Sequence, residues 1–394
     1  MVMTTAPRLR RAHRSRPRVG SSRWFRSYRW PVVIGWLIVL SIMAWVLFFR
    51  PAHVPRAPEG LPGNAPSERS GQLLQAAGRR PAVKLPADDA PHENTTEWWY
   101  YSGHVQTDAG ERYSFHVAAF LLQGAMTHMA FHGSLLDHQS GKHYTDQART
   151  EGKPSDGRAD GFGFTFGPWQ ITGSGPKHTV KMAGKGFALD LALNDSQAPV
   201  LHQAPGTPVA GLLDLGSAGS TYYTSRPRMK AEGSLMIDGV NKRVRGEVWF
   251  DHQWGDFEAS KLRWNWFALQ LADGADLMIF ELFDRQGGPV LRMGTYAKDA
   301  VVTALGAADF TAKARGTWKS PSSGVVYPMD WTLAVPSKGV DLKLEPVIRH
   351  SQFDARLTTL NVYWEGAVKA GGSQTGVGFM ELSGYEPVSG AGGK

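Results

Sequence analysis

Cysteine is absent from all 394 residues. That excludes disulfide bridges, thiolate metal sites and a cysteine nucleophile. Acidic residues are missing from the first fifty positions, which hold ten arginines (Arg8, Arg10, Arg11, Arg14, Arg16, Arg18, Arg23, Arg26, Arg29 and Arg50). Without them, 33 basic residues face 35 acidic ones. The formal charge of +8 therefore belongs to the tail, and the remaining chain carries no basic excess that would suit nucleic acid. No Gly-x-Ser-x-Gly elbow occurs, so the commonest serine-hydrolase layout lacks support. The glycine-rich run Gly161–Gly167 lacks the Lys and Ser/Thr of a phosphate loop and reads as a strand with aromatics on one face. No motif calls for a cofactor.

One long apolar run is present. Trp30 to Phe49 (WPVVIGWLIVLSIMAWVLFF) carries no charge. It has the length of about 20 residues needed to cross about 30 Å of hydrocarbon. Phe48, Phe49 and Arg50 stand where a cleavable signal peptide would have small residues. The expectation is an uncleaved single-pass anchor in the cytoplasmic membrane. By the positive-inside rule the arginine-rich tail (1–29) stays in the cytoplasm and the C-terminal body faces the periplasmic or extracytoplasmic side. Arg10-Arg11 reads as topogenic charge. Residues 50–90, rich in Pro, Gly and Ala, read as a linker with a short helix at Gln72–Ala77.

Beyond the linker, helical periodicity is scarce. Short β-branched and aromatic runs alternate with Gly, Asp and Asn turns. Gly233–Ile237 and Lys242–Phe250, joined at Asp238-Gly239, predict a hairpin. Leu262–Leu271 and Asp276–Phe283, joined at Asp273-Gly274, predict a second, both with a type I′ turn. Leu262, Trp264, Trp266 and Ala268 share one face; Arg263, Asn265, Phe267 and Leu269 share the other. Apolar residues on both faces predict a core on one side and a cavity or second barrel on the other. Further strands are expected at Gly316–Lys319, Asp330–Val335, Asp341–Pro346, Asn361–Val368 and Gly376–Leu382. The fold class is all-β, closed as a barrel or a pair of barrels.

Two clusters set acids and imidazoles among large rings, Glu97–His104 and Gly246–Asp256, and a third, Trp264–Phe267, is aromatic with one Asn. A carboxyl in a poorly hydrated aromatic site keeps its proton to higher pH and can act as a general acid. Aromatic faces can stabilise a developing carbocation. Such parts suit addition of water to an electron-rich alkene. Adjacent aromatics in a barrel also serve packing alone, and Glu97 could simply accept hydrogen bonds. Asp251-His252 is the stronger candidate, because two titratable residues between Phe250 and Trp254 are costly to bury. His104, His116, His128 and His132 raise a metal question. On a strand, the i, i+4 spacing of His128 and His132 separates them by about 13 Å, so no metal site is expected from them.

The same clusters carry a resemblance. NTTEWWYYSGHV at Asn94–Val105 resembles the opening signature of the lipocalin-like AttH/carotenoid 1,2-hydratase (hydroxyneurosporene synthase) family. So do STYYTSRPRMKAEGSL at Ser220–Leu235, GEVWFDHQWGD at Gly246–Asp256, WNWFALQLADGADLMIFEL at Trp264–Leu282 and WKSPSSGVVYPMDW at Trp318–Trp331. The resemblance implies two consecutive lipocalin-like β-barrels, divided here as 91–256 and 257–388. It implies hydration of a terminal isoprenoid double bond without a cofactor, a lyase activity. This chain resembles more closely the branch described as predicted secreted hydrolases; some fungal relatives resemble pericyclic-reaction enzymes. By resemblance the catalytic acid falls at Asp251, with His252 and Glu97 orienting it or positioning water. Trp98, Trp99, Tyr100, Tyr222, Trp254, Trp264 and Trp266 are the expected lining for a hydrophobic isoprenoid or lipid-like ligand. A carrier without turnover, or a hydrolase of an ester or amide, are the other readings.

Overall fold

The computed structural model describes residues 81–387 other than Ala159. The basic tail, the apolar run 30–49 and the linker as far as residue 80 lie outside the described residues. Among the described residues no helix is long and apolar enough to cross a membrane, and the only helices are short 3-10 turns such as Ala87–Asp89 and Ala259–Lys261.

The rest is antiparallel β-sheet in two consecutive sheets of twelve and ten strands. The first runs from the Thr96–Thr107 strand to the Val240–Phe257 strand, and these two pair with each other through twelve consecutive residues. The second runs from Leu262–Leu271 to Gly376–Ser383, which again pair first to last. Hairpins extend each sheet outward on both sides of that central pair. Both halves thus share one topology without a sequence repeat to announce it.

The sheets are curled half-barrels, not closed ones. Among the described residues, the end strands His143–Arg149 and Phe162–Phe166 share no hydrogen-bond ladder, and neither do Val301–Gly306 and Thr311–Lys319. Side chains span the gap instead: the rings of Phe131 and Trp169 lie 6.0 Å apart, and those of Tyr144 and Phe187 lie 5.7 Å apart.

Each sheet wraps a core of its own. Trp99, Tyr101, Phe115, Phe131, Phe162 and Phe250 fill the first; Phe267, Leu269, Tyr327, Trp331 and Trp364 fill the second. A third apolar cluster lies between them, made by the outward faces of both sheets: Tyr100, Trp249, Trp266, Phe280 and Phe379. The expected alternation in Leu262–Leu271 is observed. Leu262, Trp264, Trp266 and Ala268 join the cluster between the sheets, while Phe267 and Leu269 enter the second core.

The Asp238-Gly239 turn has both residues at positive φ, 47° and 85°, as a type I′ turn requires. The Asp273-Gly274 turn differs from expectation. Only Gly274 is left-handed, at 86°. The connection is longer, closed by Leu271 N–H to Ala275 O (2.8 Å) and Gly274 N–H to Leu271 O (3.1 Å). Asp273 accepts the Ala275 N–H in its side chain (3.1 Å), which favours an ordinary right-handed conformation there.

Gly246 sits opposite Val105 in the central pair of the first sheet. A Cβ at this position would meet the His104 carbonyl oxygen at 1.9 Å. Gly246→Ala is expected to force the ladder apart and cost about 2–3 kcal/mol in urea unfolding. A loss below about 0.5 kcal/mol would show that the two strands separate freely there.

Candidate functional site

A cavity of about 1280 Å³ opens between the two sheets. Trp98, Tyr100 and Phe120 supply one wall; Trp264, Trp266 and Phe280 supply the other. Its rim reaches exposed loop residues Arg356 and Leu360. Asp251 lines it while being 4% exposed.

The Val240–Phe257 strand carries Asp251 on the face between the sheets, with Trp249 two residues before it. Trp249 Nε1 donates to Asp251 Oδ1 (2.6 Å), the Tyr223 hydroxyl donates to Oδ2 (2.6 Å), and Ser225 donates to Oδ1. Register explains the convergence, because Ser225 lies directly opposite Asp251 and Tyr223 opposite Gln253. Behind them, Trp266 Nε1 donates to the Tyr223 oxygen (2.8 Å), and His202 Nε2 meets Ser225 Oγ at 2.6 Å. Burial pushes the Asp251 carboxyl up to about 7, although the Ser225, Tyr223 and Trp249 hydrogen bonds act to lower it. Desolvation wins, so a large share of the acid keeps its proton at neutral pH.

Two further carboxyls face the same space. Glu365 and Glu381 lie opposite each other on paired strands. Glu365 accepts the Tyr100 hydroxyl at 2.8 Å, and its second oxygen is buried with no partner. Burial, then the nearby Glu381, raises Glu365 well above the carboxylate range. Glu381 lines the cavity and is pushed up to about 8, first by burial. Tyr363, also on the cavity wall, connects to His132 (2.9 Å to Nδ1), whose Nε2 meets Thr358 Oγ1 at 2.7 Å. Burial holds His132 down to about 3, so it stays neutral.

The site residues read from the sequence divide between two places. Asp251, Trp98, Tyr100, Trp264 and Trp266 all line the cavity. Glu97, His252, Trp99, Tyr222 and Trp254 do not, because neighbours on a strand point to opposite faces. His252 turns into the first half-barrel, stacks on Trp99 (4.8 Å between centroids) and places Nε2 2.8 Å from Glu97 Oε1. His252 and Glu97 therefore cannot orient Asp251, and that expected role is corrected by the pleat. Tyr222 packs with Trp254 at 5.3 Å and donates to the Pro81 carbonyl (2.7 Å).

Sequence reasoning missed Tyr223, Ser225, His202, Glu365, Glu381 and Tyr363. Trp249 was missed as well, although its place two residues before Asp251 puts it on the same face of the strand. Ser225 and His202 also bear on hydrolysis. The pair is in contact, but His202 Nδ1 meets the Thr295 hydroxyl (2.8 Å), not a carboxylate, and Ser225 is 1% exposed. Ser225 is committed to Asp251 and is not a free nucleophile. His116 and His132 lie between the sheets, bonded to Ser134 (2.6 Å) and Tyr363 respectively. His104 contacts the Gly378 carbonyl at 3.2 Å. None of the histidines considered for a metal joins a group of three ligand-type side chains among the described residues.

The model for the family described as AttH-like matches residues 76–385. The chain belongs to the AttH-like family. Kievitone hydratase of Fusarium solani subsp. phaseoli is 22% identical over 169 residues, covering 42% of this chain. That match spans 47% of the relative's own length, about half. Among solved structures, a putative AttH from Nitrosomonas europaea superposes with a TM-score of 0.70 at 23% identity, covering 78% of this chain and 98% of that one. Kievitone hydratase from Nectria haematococca gives 0.63 at 20% identity, covering 77% and 93%. These likenesses establish the AttH-like fold; the cavity chemistry rests on the residues of this chain.

The raised carboxyls fix a sign for the pH dependence of stability. Below about pH 4 they carry protons in both the folded and unfolded chain. Above it the unfolded chain releases protons that the folded AttH-like domain retains. The contribution of these carboxyls to stability is therefore lost as pH rises through about 7 for Asp251 and about 8 for Glu381, while that of the buried neutral histidines runs the other way. Asp251→Asn should remove one share of that loss, on the order of 2–4 kcal/mol between pH 4 and 8. Urea midpoints measured across that range check this; an unchanged slope in the variant would contradict the buried-acid assignment.

Proposed function

We propose that this AttH-like protein is a cofactor-independent hydratase that adds water across a carbon–carbon double bond of a hydrophobic, isoprenoid or lipid-like molecule bound between the two sheets. The observation that carries the proposal is Asp251: a buried carboxylic acid, pushed up to about 7, on the wall of an aromatic cavity of about 1280 Å³. The hydratase relatives support the reaction class.

In this reading, protonated Asp251 gives its proton to one alkene carbon. The π electrons form the new C–H bond and leave a tertiary cation on the neighbouring carbon. The faces of Trp98, Trp264 and Trp266 lower the energy of that cation through their quadrupoles. Water adds to the cation, and the proton that the added water loses returns to the Asp251 carboxylate. Atoms and charge balance, and no redox partner is needed. Tyr223, Ser225 and Trp249 hold the carboxylate between the two transfers and limit its reorganisation. The uncharged run at 30–49 would tether the domain to the outer side of the cytoplasmic membrane, close to substrates dissolved in the bilayer.

The carrier reading is the competitor, since an apolar cavity can also hold a ligand unchanged. The full chain should be incubated with an acyclic carotenoid and with kievitone in ¹⁸O-labelled water. The expected result is ¹⁸O in one product. Asp251→Asn should lower turnover by about 10²- to 10⁴-fold with binding changed less than a few fold. Tight binding with no labelled product would favour a carrier. Equal turnover by a folded Asp251→Asn protein would remove Asp251 from the mechanism.

A further inference from the structure

A second constellation lies on the opposite face of the same strands, away from the cavity. His92 Nδ1 and His252 Nε2 each stand 2.8 Å from Glu97 Oε1, and all three ligand-type atoms fall within 4.8 Å of one another. Glu97 and His252 are fully buried in their side chains, while His92 is 21% exposed. The group is thus closed on the protein side and reachable from one direction.

Its parts are held from behind. Trp254 stacks on His92 at 4.5 Å and 3°, and Trp99 stacks on His252. The His92 N–H donates to Glu97 Oε2 (2.8 Å), and Gln123 Nε2 donates to the His92 carbonyl (2.7 Å). The outer nitrogen of His92, Nε2, faces Asp88 Oδ1 at 3.8 Å. A small shift would let Asp88 accept an N–H from that nitrogen, as carboxylates do behind metal-ligating imidazoles. His252 Nδ1 is buried without a hydrogen-bond partner, and the nearby charge acting on that ring besides Glu97 includes Asp89.

We infer that His92, Glu97 and His252 form a binding site for a divalent transition-metal ion of the zinc class, with the fourth position open on the His92 side. Two imidazoles and one carboxylate are a donor set that such ions accept. Ligand atoms around a tetrahedral ion at about 2.0–2.1 Å stand roughly 3.3 Å apart. Each 2.8 Å contact to Glu97 must widen by about half an ångström, and the two imidazole nitrogens, within 4.8 Å of each other, must close toward the same spacing. Each imidazole N–H now hydrogen-bonded to Glu97 gives up its proton when the ion enters. The ion would tie the segment entering the first half-barrel to its central strand pair. This inference does not depend on the hydratase reading, since the cavity and Asp251 lie on the other face.

The test uses the full chain, free of any polyhistidine tag, stripped with a chelator and titrated with CoCl₂ and then ZnCl₂. The expected result is one equivalent of Co²⁺ with the visible absorption of a low-coordinate site, displaced by Zn²⁺. Saturating Zn²⁺ should raise the melting temperature by on the order of 5 °C. His92→Ala, a change at a partly exposed loop residue, should weaken Zn²⁺ binding more than about 100-fold and abolish the melting shift. His128→Ala should leave both intact. No uptake by the folded wild-type protein at micromolar ZnCl₂, or equal uptake by His92→Ala, would overturn the site.

Discussion

Along residues 96–105 and 248–255 the central strand pair is buried on both faces, and the rest of the molecule is arranged around that fact. A half-exposed sheet places one row of side chains in a core and gives the other to water. Here the inner row fills the first half-barrel with Trp99, Tyr101 and Phe250, while the outer row meets the second sheet with Tyr100 and Trp249. Every residue of the central ladder therefore has a chemical neighbourhood set by its parity along the strand. The two titratable groups Asp251 and His252 are adjacent in sequence and belong to different sites.

Parity also separates their electrostatics. Between the outer face and the facing second sheet, Asp251, Glu365 and Glu381 share one poorly hydrated space without a cation partner among the described residues, so burial dominates and protons are retained. On the inner face Glu97 has two imidazoles as partners, and the hydrogen bonds prevail over burial. One strand pair thus carries a proton-rich site on one side and an anionic, imidazole-rich site on the other. Trp and Tyr rings separate them, with Trp99 and Tyr101 inward and Trp98 and Tyr100 outward.

Much of the architecture was legible in the sequence because it is local. The Asp238-Gly239 turn, the alternation of Leu262–Leu271 and the later strands follow from residue period and turn chemistry. The chemistry of the site was legible only in part. Asp251 and its aromatic company stood out because a carboxyl among rings is a local signal. Its partners Tyr223 and Ser225 are reached through the register between two long strands, and Glu365 and Glu381 come from a different sheet. No spacing within one segment encodes those contacts. The misplaced residues, Glu97 and His252, were grouped with Asp251 by nearness along the chain and by aromatic context. Applying the two-residue period to Phe250-Asp251-His252 would have separated them.

The space between the sheets persists because of what lines it. Apolar walls shrink a gap where they can relax into it, since each lost contact costs dispersion energy. Here the walls are indole and phenol rings held at fixed angles by their polar ends: Trp266 bonds Tyr223, Trp249 bonds Asp251, and Tyr100 bonds Glu365. Collapse would break those bonds and leave buried donors unpaired, at a cost of about 1–3 kcal/mol each. The same bonds fix the Asp251 carboxyl. The network that keeps the space open is thus the network that positions the acid, and a substitution that loosens one loosens the other.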